Sequence, residues 1–213
     1  PNRQGIQLLD LETMDRYRVD KVLGEGSFGK AILCTRNDDN KACVVKQVDA
    51  SNPNARKTAN IEATVLAKLS HPNIVGFWES FSHGLSRNII CIVMEYADGG
   101  DLHSFLQGRK GRLLEEGMVL DWFLQTTLAV KHIHDRKVLH RDLKSQNIFI
   151  TQSKIIKIGD FGIAKDLEKT CELAPTAVGT PYYMSPEMCK EKSYDHKNGR
   201  VVLRVSPRAL QMV

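Results

Sequence analysis

Alternating and β-branched apolar positions begin at Tyr17 and set the pattern of the first half of the chain. In YRVDKVLGEGSFGKAILCTRNDDNKACVVKQVD such runs surround a glycine-rich turn and an Asn-Asp-Asp-Asn turn, which predicts three antiparallel strands. The segment NARKTANIEATVLAKL has helical spacing, and HPNIVGFWESF and NIICIVMEY return to strand character. The pattern therefore predicts five strands and one helix.

A long helix is predicted from Gly117 to Arg136, and two short strands, NIFI and KIIKI, follow the loop HRDLKSQ. The helix carries two adjacent apolar stripes and one narrow polar strip. The first stripe is Val119, Trp122, Phe123, Val130 and Ile133, the second is Leu120, Leu124 and Leu128, and the polar strip is Asp121, Gln125, His132 and Arg136. A helix this apolar must be covered on more than one side, so residues 100–187 are expected to form a helical region around it.

Composition and cysteine spacing narrow the class of protein. The chain has 213 residues, 42% of them hydrophobic, which is enough for a core of one domain or one and a half. No apolar run is long enough for a membrane span or resembles a signal peptide, so we expect a soluble, intracellular protein without a membrane partner. The five cysteines are scattered and never form C-x-x-C, which argues against a disulfide scaffold and a zinc site and favours reduced thiols.

The net charge of +5 is concentrated near the C-terminus. Residues 188–213 hold six Lys or Arg residues and two acidic residues, a net charge of +4, which leaves +1 for residues 1–187. A nearly neutral body argues against nucleic acid as a partner.

Gly24, Gly26 and Gly29 form the spacing G-x-G-x-x-G, which occurs in phosphate-binding turns and in ordinary flexible hairpins. A dinucleotide-binding turn leads from a strand into a helix and would suggest an NAD-dependent oxidoreductase. Here a strand from Ala31 to Cys34 follows, so the glycines are expected on a hairpin, where backbone N–H groups could approach phosphate oxygens.

Lys46 ends the strand CVVK, and Glu62 lies 16 residues later in the predicted helix. Glu62 shares an i, i+3, i+4, i+7 stripe with Val65, Leu66 and Leu69, which places its carboxylate on the face that should be buried. A buried carboxylate needs a cationic partner, and Lys46 is the obvious candidate. The alternative is that both residues are solvated surface charges.

Three further motifs follow in order: HRDLKSQN at residues 140–147, DFG at residues 160–162 and GTPYYMSPE at residues 179–187. With the glycine-rich turn and the strand lysine, they match the protein-kinase signature set. The details LGEGSFGKAIL, HPNIV, MEYADGGDL, HIHDRKVLHRDLKSQNIF and DFGIAK most resemble the NIMA-related serine/threonine kinases. The resemblance implies an α+β, two-lobed kinase fold whose N-lobe has a five-stranded antiparallel sheet and one helix, followed by a helical C-lobe.

The resemblance also implies roles for the motif residues in transfer of the ATP γ-phosphate to Ser and Thr hydroxyls of protein substrates. Asp142 would orient the substrate hydroxyl and accept its proton, and Asn147 and Asp160 would hold Mg²⁺. Lys144 would stabilise the transferring phosphoryl, and Lys46, paired with Glu62, would hold the α- and β-phosphates. His140 and Phe161 are interpreted as packing residues, together with Leu66 and Phe77.

For the adenine and ribose, the segment NIICIVMEYADGGDL resembles the link between the lobes. It implies that Met94 is the gatekeeper and that the backbone of the segment between Glu95 and Ala97 forms hydrogen bonds with the adenine. It also implies that Asp101 is a candidate for binding the ribose hydroxyls. An apolar sandwich around the base would comprise Leu23, Ala31, Val44 and Phe149. Val44 stands where kinases usually have alanine and Ala31 where they usually have valine, and the two volume changes are expected to compensate.

Regulation is expected in the segment between Asp160 and Glu187. Thr176 lies four residues before Thr180, where related kinases carry their activating phosphorylation site. A phosphate on Thr176, with a charge of about −1.5 to −2, could be captured by Arg141 and order the segment. Thr170 is the weaker alternative, and Thr180 together with Lys144 is the pattern of serine/threonine kinases.

The resemblance ends at Glu187, after which the expected kinase helices do not follow. We therefore expect four segments: a disordered leader at residues 1–16, an N-lobe and hinge at 17–96, a partial C-lobe at 97–187 and an unrelated basic tail at 188–213. Two functions stay open: an active kinase, or an impaired fragment that binds nucleotide or titrates a partner. We expect a cytoplasmic protein, and the resemblance alone implies cytoskeletal, centrosomal or ciliary association.

Overall fold

The computed structural model describes residues 14–26, 29–84, 88–162 and 164–166. Within those residues the chain divides into two compact units. The first holds the chain up to Ser70 together with Gly76–Tyr96, and the second holds His71–Val75 and the chain from Ala97 onward. Residues 1–13 and 167–213, with most of the expected leader and the whole expected tail, lie outside the described residues.

The first unit is built on a five-stranded antiparallel sheet with the spatial order β1-β2-β3-β5-β4. The strands are β1 (Tyr17–Gly26), β2 (Gly29–Arg36), β3 (Ala42–Asp49), β4 (Phe77–His83) and β5 (Ile89–Glu95). One helix, α1 (Pro53–Lys68), connects β3 to β4. The predicted five strands and the predicted helix after β3 are therefore confirmed.

Strand alternation buries one face of this sheet in a core. The core comprises Tyr17, Ile32, Cys34, Cys43, Val45, Cys91 and Val93. Three of these are free thiols, and burial raises the pKa of Cys34 to about 11 and those of Cys43 and Cys91 to about 12. The thiols therefore stay protonated at neutral pH and act as small apolar side chains.

Helix α1 begins where its sequence provides both a cap and a favourable first residue. Pro53 occupies the first turn, and the Asn52 side chain accepts a hydrogen bond from the Asn54 N–H at 2.8 Å. One face of the helix is buried, through Ala59, Glu62, Ala63, Val65 and Leu66. The predicted buried position of Glu62 is confirmed.

Between residues 71 and 166, the described part of the second unit contains two helices and two short antiparallel strand pairs. The helices are α2 (Leu102–Gly108) and α3 (Glu116–Asp135), and the strands are β6 (Val138–Leu139), β7 (Ile148–Ile150), β8 (Ile156–Ile158) and β9 (Lys165–Asp166). Strand β6 pairs with β9 and β7 with β8, and a 3₁₀ turn at Ser145–Asn147 leads into β7. The core here is formed by Trp122, Ile148, Ile150 and Ile156.

Helix α3 buries one side only. Its buried residues are Trp122, Thr126, Ala129 and Ile133, whereas Leu120, Phe123, Leu124 and Leu128 are 45–60% exposed. The second predicted stripe, with Phe123 from the first, is thus uncovered, although the sequence pattern called for cover on more than one side. No helix within the described part of the chain is long and apolar enough to cross a membrane.

The segment His71–Val75 differs from its sequence-based interpretation, which gave it strand character and placed it with the first region. Only an isolated bridge from Ile74 to Ile158 forms, and β4 begins later. The segment belongs to the second unit because Asn73 and Val75 exchange backbone hydrogen bonds of 2.9 Å with Ile158. The Asn73 amide also donates to Gln125 Oε1 at 2.8 Å, so the polar strip of α3 contributes a packing contact.

Two histidines pack together beside this segment, with the ring centroids of His71 and His132 4.9 Å apart. His71 Nδ1 accepts a hydrogen bond from the Asn73 N–H at 3.0 Å, which fixes its proton on Nε2. Burial lowers the pKa of both rings, and the positive charge of Arg136 lowers them further. Both rings are therefore harder to protonate in the folded chain than in the unfolded chain.

Candidate functional site

The sequence motifs fall into two groups, one in each unit. The glycine-rich turn, Lys46 and Glu62 lie in the first unit, whereas the HRDLKSQN segment and Asp160 lie in the second.

The glycine-rich turn is the tip of the β1–β2 hairpin. The strands stay paired up to Gly26 and Gly29, so a strand and not a helix follows the turn, which excludes the dinucleotide-binding alternative. Gly29 has a φ of +108°, and a β-carbon there would lie 2.1 Å from the Gln47 carbonyl oxygen, so only glycine fits. A β-carbon on Gly24 or Gly26 would meet nothing within 4 Å, which leaves the backbone accessible there.

Lys46 and Glu62 form the predicted ion pair. The Lys46 Nζ lies 2.7 Å from Glu62 Oε1, and the two side chains are only 12% and 3% exposed. The alternative of two solvated surface charges is therefore wrong. Strand β3 supplies the lysine, and the buried face of α1 supplies the carboxylate.

Strand register brings the predicted adenine-binding residues to one face of the sheet. Ala31 lies opposite Lys46, and Val44 lies opposite Met94, so these four side chains project from the face opposite the thiol core. The face is partly buried. Leu23, on β1, is exposed.

Glu95 ends β5 with both backbone and side chain engaged. Its N–H donates to the Gly76 carbonyl at 2.8 Å, and its carboxylate accepts from the Gly76 N–H at 3.0 Å. These bonds fix the end of β5 just before Ala97, which is buried. The sequence alone gave no sign of this pairing.

In the second unit, the predicted catalytic residues contact one another directly. Asp142 is buried, and its Oδ2 lies 2.8 Å from the Lys144 Nζ and 3.0 Å from the Asn147 Nδ2. The same Asn147 amide nitrogen donates to the Asp142 carbonyl at 2.9 Å. With its nitrogen committed to Asp142, Asn147 has its amide oxygen as the atom able to ligate a cation.

Gly159 joins this cluster to Asp160. Its N–H donates to the Asn147 carbonyl at 3.0 Å, and its carbonyl lies 3.0 Å from the His140 Nε2. His140 Nδ1 accepts from the Asp142 N–H, so the ring proton is on Nε2 and is donated to Gly159. Burial lowers the pKa of His140, which keeps the ring neutral in this bridging role.

Sequence reasoning did not single out Gly159. A β-carbon there would lie 2.8 Å from the Phe149 ring and 3.0 Å from Val75, so glycine is required for the close approach. The one available signal was a glycine directly before Asp160 at the end of an apolar strand.

Two residues of the cluster have left-handed backbone, Arg141 with φ 66° and Asp160 with φ 58°. Such conformations are strained for residues with a β-carbon and are concentrated at functional sites. Phe161 is fully buried, with its ring centroid 4.6 Å from that of His140, in agreement with the predicted packing role of both residues.

The remaining predicted residues of this unit have structural partners. Asp101 caps α2, and its two carboxylate oxygens accept from the Ser104 N–H at 2.8 Å and the Ser104 hydroxyl at 2.7 Å. A ribose hydroxyl would therefore have to share an already engaged carboxylate. Phe149, on β7, is partly buried. Thr170, Thr176 and Thr180 lie outside the described residues.

The donor set suits magnesium better than a transition metal. Carboxylate and amide oxygens are the ligands that Mg²⁺ prefers, usually one or two from protein with the rest from phosphates and water. Asp160 and Asn147 offer such oxygens. Among the described residues, no group of three or more His, Cys, Asp or Glu side chains could hold a metal by itself.

Comparison with known proteins identifies what the chain is similar to. Residues 17–199 match the family model described as Protein kinase domain, and the match extends beyond the boundary that the motifs gave at Glu187. The serine/threonine-protein kinase Nek1 of Mus musculus is 48% identical over 187 residues, which cover 87% of this chain and 15% of Nek1. Nek5 of Homo sapiens is also 48% identical over 187 residues, covering 86% of this chain and 26% of Nek5.

Nek3 of Mus musculus is 44% identical over 185 residues, covering 87% of this chain and 35% of Nek3. The resemblance to NIMA-related kinases is thus confirmed. The chain spans only about 15–35% of the length of these three curated relatives.

Proposed function

Because the chain belongs to the protein kinase domain family, we propose that it transfers the γ-phosphoryl group of ATP to Ser and Thr hydroxyls of protein substrates. The observation that carries the proposal is the hydrogen-bonded cluster of Asp142, Lys144 and Asn147, joined through Gly159 to Asp160. Phosphoryl transfer needs positioned charges more than covalent chemistry, and this cluster provides them.

Each residue has a role that fits its surroundings. Asp142 accepts a hydrogen bond from Asn147, which aims its carboxylate at the hydroxyl that it orients and deprotonates. Lys144, 2.8 Å from Asp142, neutralises charge on the transferring phosphoryl. Bound Mg²⁺ would neutralise phosphate charge, and the oxygens of Asn147 and Asp160 would hold it.

The first unit would contribute nucleotide binding. The backbone at Gly24 and Gly26 is accessible to phosphate oxygens, and Glu62 holds the Lys46 ammonium in place for the α- and β-phosphates. The partly buried face with Ala31, Val44 and Met94 would take the adenine.

The test is transfer from radiolabelled ATP to Ser/Thr peptides, with a Tyr-only peptide as the specificity control. Asp142→Asn should lower the transfer rate by about 10²–10⁴-fold because it removes a positioned proton acceptor. Asp135→Asn makes the same chemical change at an exposed ion pair and should leave the rate unchanged. Equal rates for the two variants would contradict the proposal.

The exposed face of α3 favours a second candidate, an impaired fragment that binds nucleotide or titrates a partner. The transfer assay separates the two candidates, since the fragment would bind Mg·ATP in calorimetry and show no transfer to any peptide. Detectable transfer that Asp142→Asn abolishes would rule the second candidate out.

We also propose that phosphorylation at Thr176 activates the kinase, with Arg141 as the cation that receives the phosphate. The likeness to the Nek kinases supports this position, and it supports a cytoplasmic protein with cytoskeletal, centrosomal or ciliary association. Mass spectrometry of active protein should find Thr176 modified, and Thr176→Ala should lower activity. Full activity of Thr176→Ala would refute the regulatory proposal alone.

A further inference from the structure

Four cations lie in two turns of the second unit, and none of them is a residue assigned to phosphoryl transfer. Arg109, Lys110 and Arg112 lie in the turn between α2 and α3, and Lys154 lies in the turn between β7 and β8. The Arg109 guanidinium carbon is 5.9 Å from the centroid of the Phe105 ring, and the Lys154 Nζ is 5.2 Å from the same centroid. The two turns are therefore neighbours.

This arrangement is rigid. Arg109 Nε donates to the Arg112 carbonyl at 2.9 Å and Nη2 donates to the Leu113 carbonyl, so the guanidinium braces its own turn. Trp122 packs edge-on against Phe105 at 5.3 Å and donates from Nε1 to the Lys154 carbonyl at 2.9 Å. These contacts fix both turns to α3.

The positive charges are not neutralised. Across the part of the chain that the structure describes, none of the four cations forms an ion pair, although Glu115 and Glu116 follow closely in sequence. Two leucines, Leu106 and Leu113, are 42% and 51% exposed in and beside the same turn. The surface formed by Arg109, Lys110, Arg112, Lys154, Leu106 and Leu113 is hereafter the basic turn surface.

Two of the four cations lie on left-handed backbone. Lys110 has a φ of 50° and Lys154 a φ of 66°. Glycine or asparagine would adopt this left-handed backbone more easily, so lysine is present at two tight turns despite a local cost.

We propose that the basic turn surface binds an acidic peptide segment that carries large apolar side chains. The cations would pair with Asp or Glu side chains of the peptide, and the leucines would receive its apolar residues. A single-stranded nucleic acid would use exposed aromatic rings for stacking, whereas the Phe105 ring already contacts Trp122 and two cations. The proposal does not depend on phosphoryl transfer.

The experiment measures binding of fluorescein-labelled peptides to the purified 213-residue chain by anisotropy. The probe is a 12-residue peptide of alternating Glu and Leu, and the peptide controls replace Glu by Gln or Leu by Ala. We expect binding of the probe, weakening with salt, and loss of affinity in both control peptides. These changes leave the protein untouched, so they test the proposal even if a protein variant fails to fold.

On the protein side, Lys110→Asn, Arg112→Gln and Lys154→Asn are combined, because Asn tolerates left-handed backbone. This triple variant should raise the dissociation constant for the probe peptide by about tenfold. The control combines Lys21→Gln, Lys57→Gln and Lys137→Asn, which also removes three exposed charges, one from a left-handed residue. It should bind as the parent chain does.

Three results would overturn the proposal. The first is equal affinity of the two triple variants for the probe peptide. The second is equal binding of the Glu and Gln peptides. The third is tighter binding of single-stranded RNA or of phosphatidylserine vesicles than of the peptide, with the same dependence on the three cations, which would assign the surface to a nucleic acid or a membrane.

Discussion

Breaking the ion pair between Lys46 and Glu62 should destabilise the first unit as well as abolish any activity. Glu62→Gln takes the carboxylate away from an ammonium that lies 2.7 Å from it and is only 12% exposed. Removing one partner of a buried pair costs about 3–5 kcal/mol, because the remaining charge stays in a poorly solvated site. We expect about 3 kcal/mol, near the lower end, since the Lys46 side chain retains some access to water.

Replacing both partners should cost much less than the sum of the single changes. Lys46→Met with Glu62→Leu substitutes apolar side chains of similar size and removes both desolvation penalties. The double variant is expected within about 1 kcal/mol of the parent chain, with a coupling energy of at least about 2 kcal/mol. It should nonetheless be inactive, which separates the structural role of the pair from its proposed role in ATP binding.

The assay is urea unfolding followed by tryptophan fluorescence. Trp78 lies in the first unit, with the Arg36 guanidinium carbon 4.6 Å from its ring centroid, and it reports the environment of β4. The control is Asp135→Asn, which breaks a 2.5 Å pair with Lys131 whose side chains are 56% and 69% exposed and should change stability by no more than about 0.5 kcal/mol. A cost below about 1 kcal/mol for Glu62→Gln would refute the argument from burial.

Three further predictions follow from burial and backbone geometry. Gly29→Ala should cost more than about 1 kcal/mol of unfolding free energy in urea, because its β-carbon would overlap a backbone carbonyl of β3; an unchanged midpoint would contradict this. His71 and His132 have pKa values lowered from 6.5, so as the pH falls the unfolded chain takes up protons before the folded chain does. The contribution of these two rings to stability should be full above pH 6.5 and should fall as the pH drops below it. Replacing both with Gln should make the melting temperature depend less on pH in that range. Ile133→Ala should lower the free energy of unfolding by about 2–5 kcal/mol, whereas Leu124→Gln should lower it by less than about 1 kcal/mol. Leu124→Gln should also reduce the binding of a hydrophobic dye. Equal losses of stability in the two variants would contradict the assignment of the exposed face.

The sequence predicted the sheet, α1 and the pairing of Glu62 because each depends on local periodicity. Strand alternation and helical spacing determine which side chains share a face, whatever the rest of the chain does. The motif residues Asp142, Asn147 and Asp160 were found for a different reason: their order matches a known family, and the structure then shows the contacts among the first two.

The missed features depend on contacts between segments distant in sequence. The sequence HPNIVGFWESF predicts strand character from residue 71 onward, yet Asn73 and Val75 form backbone hydrogen bonds with Ile158 of β8, more than 80 residues later. Gly159 acquires its role only when Asn147, His140 and Phe149 surround it. The side of α3 that is buried also could not be read from two adjacent apolar stripes.

The buried thiols of the sheet allow unfolding of the first unit to be measured by thiol alkylation. Alkylating reagents attack the thiolate, and Cys34, Cys43 and Cys91 are both inaccessible and held protonated by pKa values of about 11–12. With Cys171 and Cys189 replaced by Ser, every alkylation event would record an opening of that sheet. With Trp78 replaced by Phe, Trp122 fluorescence would follow the second unit in the same sample, so the order in which the two units open becomes measurable in a single experiment.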